Sequence, residues 1–147
     1  MPKINFKIVT PERVVYEADI DQVTLPTASG EITILPNHIP LVSLLAAGEL
    51  LIKANGKEIP LAVAGGFVEV GKNKVVILAD SADKVEEIDA ARVEEARKRA
   101  EEILKTKKID SEEYATFAGQ LERELARLKV ARKHRKSAPT SLPHIEE

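Results

Sequence analysis

The first 84 residues consist of short runs in which apolar and polar positions alternate, a pattern typical of strands with one buried face. Ile4, Phe6 and Ile8 alternate with polar side chains, and this run ends at Thr10-Pro11 because proline cannot donate to a β-ladder. Similar runs follow, separated by turn-forming residues: VVYEADIDQVTLP, EITIL, GELLIKA, KEIPLAV, GGFVEVG and KVVILA. Many short strands without a helical pattern between them predict an all-β sandwich or a flattened barrel.

Glycine and asparagine mark the sharp connections in this strand region. Asn55-Gly56 and Lys72-Asn73 stand where two-residue hairpin turns are expected. Gly65-Gly66 precedes one of the strand patterns. This pair predicts a bulge or a close approach of two backbones, since glycine tolerates the torsions that either requires.

The apolar period becomes helical at Ile88, which predicts two amphipathic helices after the strands. The expected apolar face of the first helix contains Ile88, Ala91, Ala96, Ala100, Ile103 and Leu104. The expected apolar face of the second contains Tyr114, Phe117, Ala118, Leu121, Leu125, Leu128 and Ala131. The connection KTKKID is short and polar, and Asp110 with Glu113 predicts a capping box at the start of the second helix. The two helices should therefore form an antiparallel hairpin.

These patterns divide the chain into three parts. Residues 1–84 are predicted to form a β-sandwich domain, and residues 85–136 a helical hairpin domain. Residues 137–147 contain proline and serine without periodicity, so we expect a flexible tail.

Composition removes several classes of chemistry. The 147 residues contain no cysteine, which excludes a disulfide framework, a thiolate zinc site and a thiol nucleophile. No phosphate-binding loop, dinucleotide fingerprint or serine-hydrolase motif is present, and the three histidines have no spacing that suits a metal. No run approaches the roughly 18 apolar residues of a membrane helix, so we expect a soluble protein that reaches a membrane only through partners. The sequence predicts neither catalytic nor metal-binding residues.

Charge separates along the last third of the chain. Residues 85–104 contain seven acidic and four basic side chains, whereas residues 121–136 contain two acidic and seven basic ones. A basic helix on a small strand domain suggests one alternative function, a nucleic-acid-binding module that uses Arg123, Arg127, Arg132 and Arg135. The slightly acidic chain as a whole and the 3% content of aromatic residues argue against it.

Three motifs in register carry a resemblance to a known family. GEITILPNHIPLV, AGGFVEV and VVILADSADKVEEIDAAR, in that order and spacing, resemble the epsilon subunit of F-type ATP synthase from bacteria and chloroplasts. The resemblance extends from Phe6 to about Val130. It implies a ten-stranded β-sandwich followed by a helical hairpin, and a non-catalytic rotor subunit that requires no cofactor.

The same resemblance implies a set of partners. In the family the sandwich holds the gamma subunit on the ring of membrane c subunits. The implied contacts with the ring and gamma are the turn at Gly30 and Glu31 and the nearby LPNHIP loop with His38. For Glu31 alone, an ordinary exposed acid at a strand start is the alternative. The implied location is peripheral, on the cytoplasmic face of a bacterial cell membrane or, as the alternative, on the stromal side of a thylakoid membrane.

The hairpin is implied to be the regulatory part. In the family it either folds against the sandwich or extends along gamma into the catalytic head, where it impedes ATP hydrolysis. Arg123, Arg127 and Arg132 form a basic stripe that would meet an acidic segment of the catalytic beta subunit in the extended form. Alpha is a further implied partner. The alternative is a solvated helix surface.

The start of the hairpin also resembles an ATP-binding motif of some bacterial members, I/L-D-x-x-R-A. Ile88, Asp89 and Arg92 match this motif, and Val93 stands where alanine is expected. The resemblance implies a regulatory ATP site in which Asp89 accepts from the adenine amino group and four arginines surround the phosphates: Arg92, Arg99, Arg123 and Arg127. Alternatively, Asp89 is a helix N-cap and Arg92 a solvated side chain.

Overall fold

The computed structural model describes residues 2–106 and 110–137 of the chain. These residues form ten strands, a short 3-10 turn at Val85–Glu87 and two long helices. The strands are β1 Ile4–Val9, β2 Val14–Ile20, β3 Gln22–Thr27, β4 Gly30–Ile34, β5 Leu41–Leu44, β6 Gly48–Ala54, β7 Lys57–Val63, β8 Gly66–Gly71, β9 Lys74–Ala79 and β10 Ala82–Lys84. The helices are α1 Ala90–Thr106 and α2 Ser111–Ser137.

The strands form two five-stranded sheets that pack face to face. The first sheet has the order β2-β1-β9-β8-β5, and the second has the order β10-β7-β6-β3-β4. The alternating residues of β1 lie with Phe6 and Ile8 at 0% exposure between the sheets, because successive side chains of a strand point to opposite faces. The buried core cluster extends from Ile4 to Ala82, within the strand region. The predicted fold class, a β-sandwich followed by a two-helix hairpin, is confirmed.

The predicted turns have the required backbone conformations. Asn55 and Gly56 both have positive φ, at 53° and 76°, as a turn between β6 and β7 requires. At the start of β8, Gly66 has φ of 125°, and a Cβ atom placed there would lie 2.1 Å from the carbonyl oxygen of Leu78. The close approach predicted for the glycine pair therefore lies between β8 and β9.

Both helices begin at aspartate caps. Oδ1 of Asp89 accepts from the backbone N–H groups of Ala91 and Arg92, at 3.1 and 3.4 Å. Oδ1 of Asp110 accepts from the N–H of Glu113 at 2.8 Å, which is the aspartate half of the predicted capping box. The connecting residues 107–109 lie outside the described part of the chain, as do residues 138–147 of the predicted tail.

The helices run antiparallel, as predicted, but the predicted packed faces are partly wrong. In α2, Leu128 and Ala131 are buried, whereas Tyr114 and Leu125 are 54% and 45% exposed. The buried residues of α2 also include positions off the predicted face: Glu124, Ala126 and Val130. In α1, Ala91 is exposed, while Val93 and Ala100 are buried. The second half of α2 packs on both α1 and the sandwich, so a single stripe does not describe its burial.

The hairpin covers the outer face of the second sheet. Ala62 on β7 is 1% exposed although it lies outside the core cluster, and its cross-strand neighbour Glu49 contacts α2. The main contacts of α2 with the sheets are with β6 and β7, so the described residues of the hairpin leave the outer face of the first sheet uncovered. None of the described helices is long and apolar enough to span a membrane.

Candidate functional site

A pocket lies where the hairpin meets the sandwich, and we call it the hinge pocket. Its volume is about 320 Å³. It is lined by residues of β10, the 3-10 turn, the start of α1 and the middle of α2: Asp83, Glu87, Ile88, Asp89, Arg92, Val93, Ala96, Glu124 and Arg127. The pocket thus brings together four of the residues predicted for an ATP site, namely Ile88, Asp89, Arg92 and Arg127.

The residues of the ATP-like motif occupy the entrance to α1. Asp89 is exposed and caps the helix, so the predicted N-cap role is present in the structure. Arg92 is exposed in the first turn, where its guanidinium group is accessible to an anion. Val93 is 7% exposed and lines the pocket, so its two methyl groups occupy space that alanine would leave open.

Arg127 is held by carboxylates of the same chain. Its Nε donates to Oδ2 of Asp83 at 2.7 Å, and its Nη1 donates to Oε1 of Glu124 at 3.3 Å. The side chains of Arg127 and Asp83 are 18% and 23% exposed, so water screens this pair less than a surface pair. The pair joins α2 to β10 and fixes the hairpin on the sandwich.

Two of the predicted ATP-site arginines lie outside the hinge pocket. Arg99 is 74% exposed on α1, with its Nη2 3.8 Å from Glu95. Arg123 is exposed and lines a neighbouring cavity of about 230 Å³ with Asp80 and Ser81. Within the described residues Arg123 makes no ion pair, unlike Arg127 one turn along the helix.

The last residue of the predicted basic stripe joins the two helices. Nη2 of Arg132 lies 3.2 Å from Oε2 of Glu94, which connects the end of α2 with the start of α1. The pKa of Glu94 is lowered, chiefly by its hydrogen bond from Arg97, and the charge of Arg132 contributes in the same direction. In the docked form of the hairpin that the structure describes, only Arg123 of the three stripe arginines has no partner within the described residues.

A second polar contact joins the end of α2 to β6. Oε2 of Glu49 accepts from Nζ of Lys133 at 2.6 Å, and Oε1 lies 2.8 Å from Nε2 of His134. Burial of Glu49 raises its pKa, but the hydrogen bonds from Lys133 and His134 outweigh burial and hold the pKa below its ordinary value. This contact therefore stabilises the docked hairpin when Glu49 is ionised, and it weakens as pH falls through the lowered pKa.

Sequence reasoning missed the acidic side of these contacts. The sequence patterns do not indicate Asp83, Glu124 or Glu49, because partners such as Asp83 and Arg127 are 44 residues apart. One local signal was available. Glu124 stands three residues before Arg127 in the most basic part of the chain, a spacing at which helical side chains meet.

The residues predicted to face the c-ring and gamma lie in and after β4. Glu31 is exposed in β4 next to Gly30, and His38 is half-buried in the connection between β4 and β5. Nδ1 of His38 lies 2.7 Å from the carbonyl oxygen of Ile39, so backbone contacts orient the ring. Leu35 and Ile39 in the same connection are 52% and 76% exposed. This connection therefore presents apolar side chains to solvent in the isolated chain.

An apolar row crosses the uncovered outer face of the first sheet. Its members are cross-strand neighbours on all five strands, in the order Val14, Val9, Leu78, Phe67 and Leu44. Four of them are about half exposed, with Phe67 and Leu78 at 56%. A contiguous apolar surface of this kind is typical of a protein interface.

Two family models match consecutive parts of the chain. The model for the β-sandwich domain of the ATP synthase delta/epsilon chain matches residues 3–85, and the model for its long α-helix domain matches residues 86–132. The chain belongs to the ATP synthase delta/epsilon family. An ATP synthase epsilon chain of Dehalococcoides mccartyi is 47% identical over 136 residues, which are 92% of this chain and 97% of that protein. An epsilon chain of Chloroflexus aggregans is 44% identical over 132 residues, 90% and 94% of the two chains.

Solved chains of similar fold occur in mitochondrial ATP synthases. A chain in the cryo-EM structure of Euglena gracilis mitochondrial ATP synthase, with OSCP, F1 and the c-ring, matches with a TM-score of 0.66 and 21% identity, over 93% of this chain and 82% of that one. A chain from the central stalk and c-ring structure of Tetrahymena thermophila matches with a TM-score of 0.59 and 18% identity, over 90% and 96% of the two chains. At these identities the likeness shows the shared fold.

Membership of the epsilon family confirms the resemblance stated from the sequence. It assigns the chain to a non-catalytic subunit type of ATP synthase, in agreement with the prediction. Family membership by itself assigns no role to the hinge pocket or to the apolar row.

Proposed function

We propose that the chain is a central-stalk rotor subunit that couples gamma to the c-ring and, through its C-terminal helices, inhibits ATP hydrolysis. The observation that carries the coupling role is the apolar row on the outer face of the first sheet. Family membership supports gamma as the protein that covers it, and the structural neighbours come from complexes whose names include the central stalk and the c-ring.

The position of the hairpin supports the same assignment. Because α2 packs on β6 and β7, the hairpin occupies one outer face of the sandwich, and the other outer face would be available to a partner. The β4–β5 connection with His38, together with Glu31, would then meet the c-ring. A subunit in this position is peripheral on the cytoplasmic face of a bacterial cell membrane, or on the stromal side of a thylakoid membrane in the alternative setting.

Phe67→Ser is expected to weaken binding to gamma by roughly tenfold or more, since burying an aromatic side chain contributes about 1.5–3 kcal/mol. Because Phe67 is 56% exposed in the isolated chain, the free energy of unfolding should change much less. The measurement is calorimetric titration of the protein into gamma. Tyr114→Ser is the matched control, since Tyr114 is a 54% exposed aromatic residue on α2. If the two variants lose the same affinity for gamma, the apolar row is not the gamma-binding surface.

The nucleic-acid alternative gains no support from the folded form. Arg127 and Arg132 donate to carboxylates of the same chain, so two of the arginines required for phosphate contacts are already paired. Inhibition by the hairpin agrees better with these contacts. The guanidinium groups that pair with carboxylates of this chain in the docked form would pair with another subunit in the extended form. A hairpin held by a few polar contacts can change position at a modest cost in free energy.

A chain ending after Glu87 is expected to keep its fold, bind gamma and support proton-driven ATP synthesis, while the ATPase activity of the complex rises. The physical reason is that the whole buried core cluster lies before residue 83. The measurement is reconstitution of the complex with the truncated chain, followed by assays of synthesis and hydrolysis. Loss of coupled synthesis would contradict the proposed division between sandwich and hairpin.

We further propose ATP as a regulatory ligand of the hinge pocket. Support comes from the match of Ile88, Asp89 and Arg92 to the motif and from their position around one cavity with Arg127. Bound ATP would contact α1, α2 and the 3-10 turn together, so it would stabilise the docked form by mass action. No cofactor is required for the coupling role.

Titration of ATP into the isolated protein is expected to give saturable heat. Arg92→Ala should abolish this heat, and Val93→Ala should bind ATP more tightly than the wild type. Arg92 supplies an accessible guanidinium group, and the methyl groups of Val93 restrict the pocket at a cost of about 1–3 kcal/mol, or roughly five- to 150-fold in affinity. Lys98→Ala, which removes an exposed charge from the same helix, is the control. Absence of saturable heat at millimolar ATP would leave Asp89 as a helix cap and Arg92 as a solvated side chain.

A further inference from the structure

A second row of side chains lies beside the apolar row on the outer face of the first sheet. It crosses the same strands in the order Glu17, Lys7, Val76, Glu69 and Val42, and we call it the mixed row. Glu17 and Lys7 are direct cross-strand neighbours of opposite charge, so they can pair with each other when a partner covers this face. Glu69 has no neighbour of this kind within the row.

Glu69 is surrounded by apolar side chains. Its cross-strand neighbours are Val76 on β9 and Val42 on β5, and Phe67 lies two residues before it on the same face. Val42 and Phe67 are 71% and 56% exposed, and Glu69 is exposed as well. Among the described residues, the carboxylate of Glu69 forms no ion pair. A protein that covers these apolar side chains must therefore also cover an unpaired carboxylate.

The opposite sheet shows how a covering element treats a carboxylate in a similar place. Glu49 lies on the outer face of the second sheet beside Ala62, which is 1% exposed beneath the hairpin. The hairpin also brings Nζ of Lys133 to 2.6 Å from Oε2 of Glu49, so the covered carboxylate is paired. Covering a carboxylate without a cation would leave a buried charge uncompensated, which is strongly unfavourable. The same requirement applies to Glu69 when a protein covers the first sheet.

We propose that Glu69 fixes the position of gamma on the first sheet by pairing with a lysine or arginine of gamma. This inference rests on the gamma contact proposed above and adds the chemistry of the facing surface. The apolar row alone would accept an apolar partner in several positions, because apolar contacts are non-directional. A carboxylate among apolar side chains permits only the position in which a cation faces it. The facing surface of gamma should therefore be apolar around one basic side chain.

The first test is calorimetric titration of the full-length protein into gamma. Glu69→Gln should weaken binding about 10- to 100-fold, because it keeps the shape of the side chain and removes the charge that pairs with the cation. Glu17→Gln is the matched control, since it removes an exposed carboxylate from the same face on the edge strand β2. This control should weaken binding by less than about threefold, because water can solvate charges at the rim of an interface.

The second test exchanges the charges of the proposed pair. Glu69→Lys should weaken binding by about 100-fold or more, because two cations would then face each other. The lysines and arginines of gamma are then replaced by glutamate one at a time. One such replacement should weaken binding to the wild type and restore binding to Glu69→Lys by about tenfold or more.

The outcomes separate the role of Glu69 from the gamma contact itself. If the wild type does not bind gamma, both are overturned. If Phe67→Ser weakens binding and Glu69→Gln does not, the apolar row remains the gamma-binding surface and the role of Glu69 is wrong. Equal losses for Glu69→Gln and Glu17→Gln would also overturn this role, as would the failure of every gamma replacement to restore binding to Glu69→Lys.

Discussion

Gly66→Ala is expected to lower the free energy of unfolding by roughly 2–6 kcal/mol, the sum of backbone strain and overpacking. The residue has φ of 125°, which non-glycine residues rarely adopt, and its new Cβ would lie 2.1 Å from the carbonyl oxygen of Leu78. That oxygen belongs to the backbone of β9, so relief requires the two strands to separate in the first sheet. The measurement is urea unfolding of the isolated protein.

Gly30→Ala is the matched control for this prediction. Gly30 also has a positive φ, 118°, but a Cβ atom there would have nothing within 4 Å. It should therefore carry the strain term alone, about 1–3 kcal/mol. The difference between the two variants measures the close approach of β8 to β9. Equal unfolding midpoints would show that this contact contributes nothing to stability.

The strand region and the helix ends could be predicted from sequence because their signals are local. Alternation within β1, the Asn55-Gly56 turn and the aspartate caps each depend on residues within a few positions of one another. Such local signals do not depend on how distant segments of the chain pack. The spacing of apolar residues and the positions of the turn residues were therefore enough to predict the fold class.

Burial of α2 could not be predicted in the same way, because it depends on two different neighbours. Leu125 belongs to the expected apolar stripe and is 45% exposed, whereas Val130 lies off it and is 1% exposed. The same reasoning applies to the candidate site. The motif at Asp89 and Arg92 was readable, but the pairing of Arg127 with Asp83 and that of Arg132 with Glu94 arise from packing between distant segments.

Because of these pairings between distant segments, some arginines of the basic stripe are paired in the docked hairpin and one is not paired within the described residues. Arg127 is engaged with Asp83 in the docked hairpin, whereas Arg123 makes no ion pair within the described residues. If the extended hairpin inhibits ATP hydrolysis through its arginines, Asp83 competes with the catalytic subunit for Arg127. Loss of Asp83 and loss of Arg123 should then change the ATPase rate in opposite directions.

Asp83→Ala is therefore expected to strengthen inhibition of the ATPase, and Arg123→Ala to relieve it. Asp83 accepts from Nε of Arg127 at 2.7 Å in a largely buried pair, and a hydrogen bond between charged groups contributes about 1.5–3 kcal/mol. Its loss should shift the hairpin from docked to extended by roughly 10- to 150-fold. Arg123 is exposed in the docked form, so its removal should affect the extended form alone.

Two measurements check this prediction together. Hydrogen exchange of the buried half of α2, around Val130, should become faster in isolated Asp83→Ala protein and stay unchanged in Arg123→Ala. ATP hydrolysis by the assembled head should then fall for Asp83→Ala and rise for Arg123→Ala. The control is Glu58→Ala, because Glu58 is 60% exposed and lies 3.8 Å from Lys53, so its loss should alter neither readout. If Asp83→Ala accelerates exchange in α2 yet raises the ATPase rate, release of the hairpin does not inhibit, and the arginines act on the docked form instead.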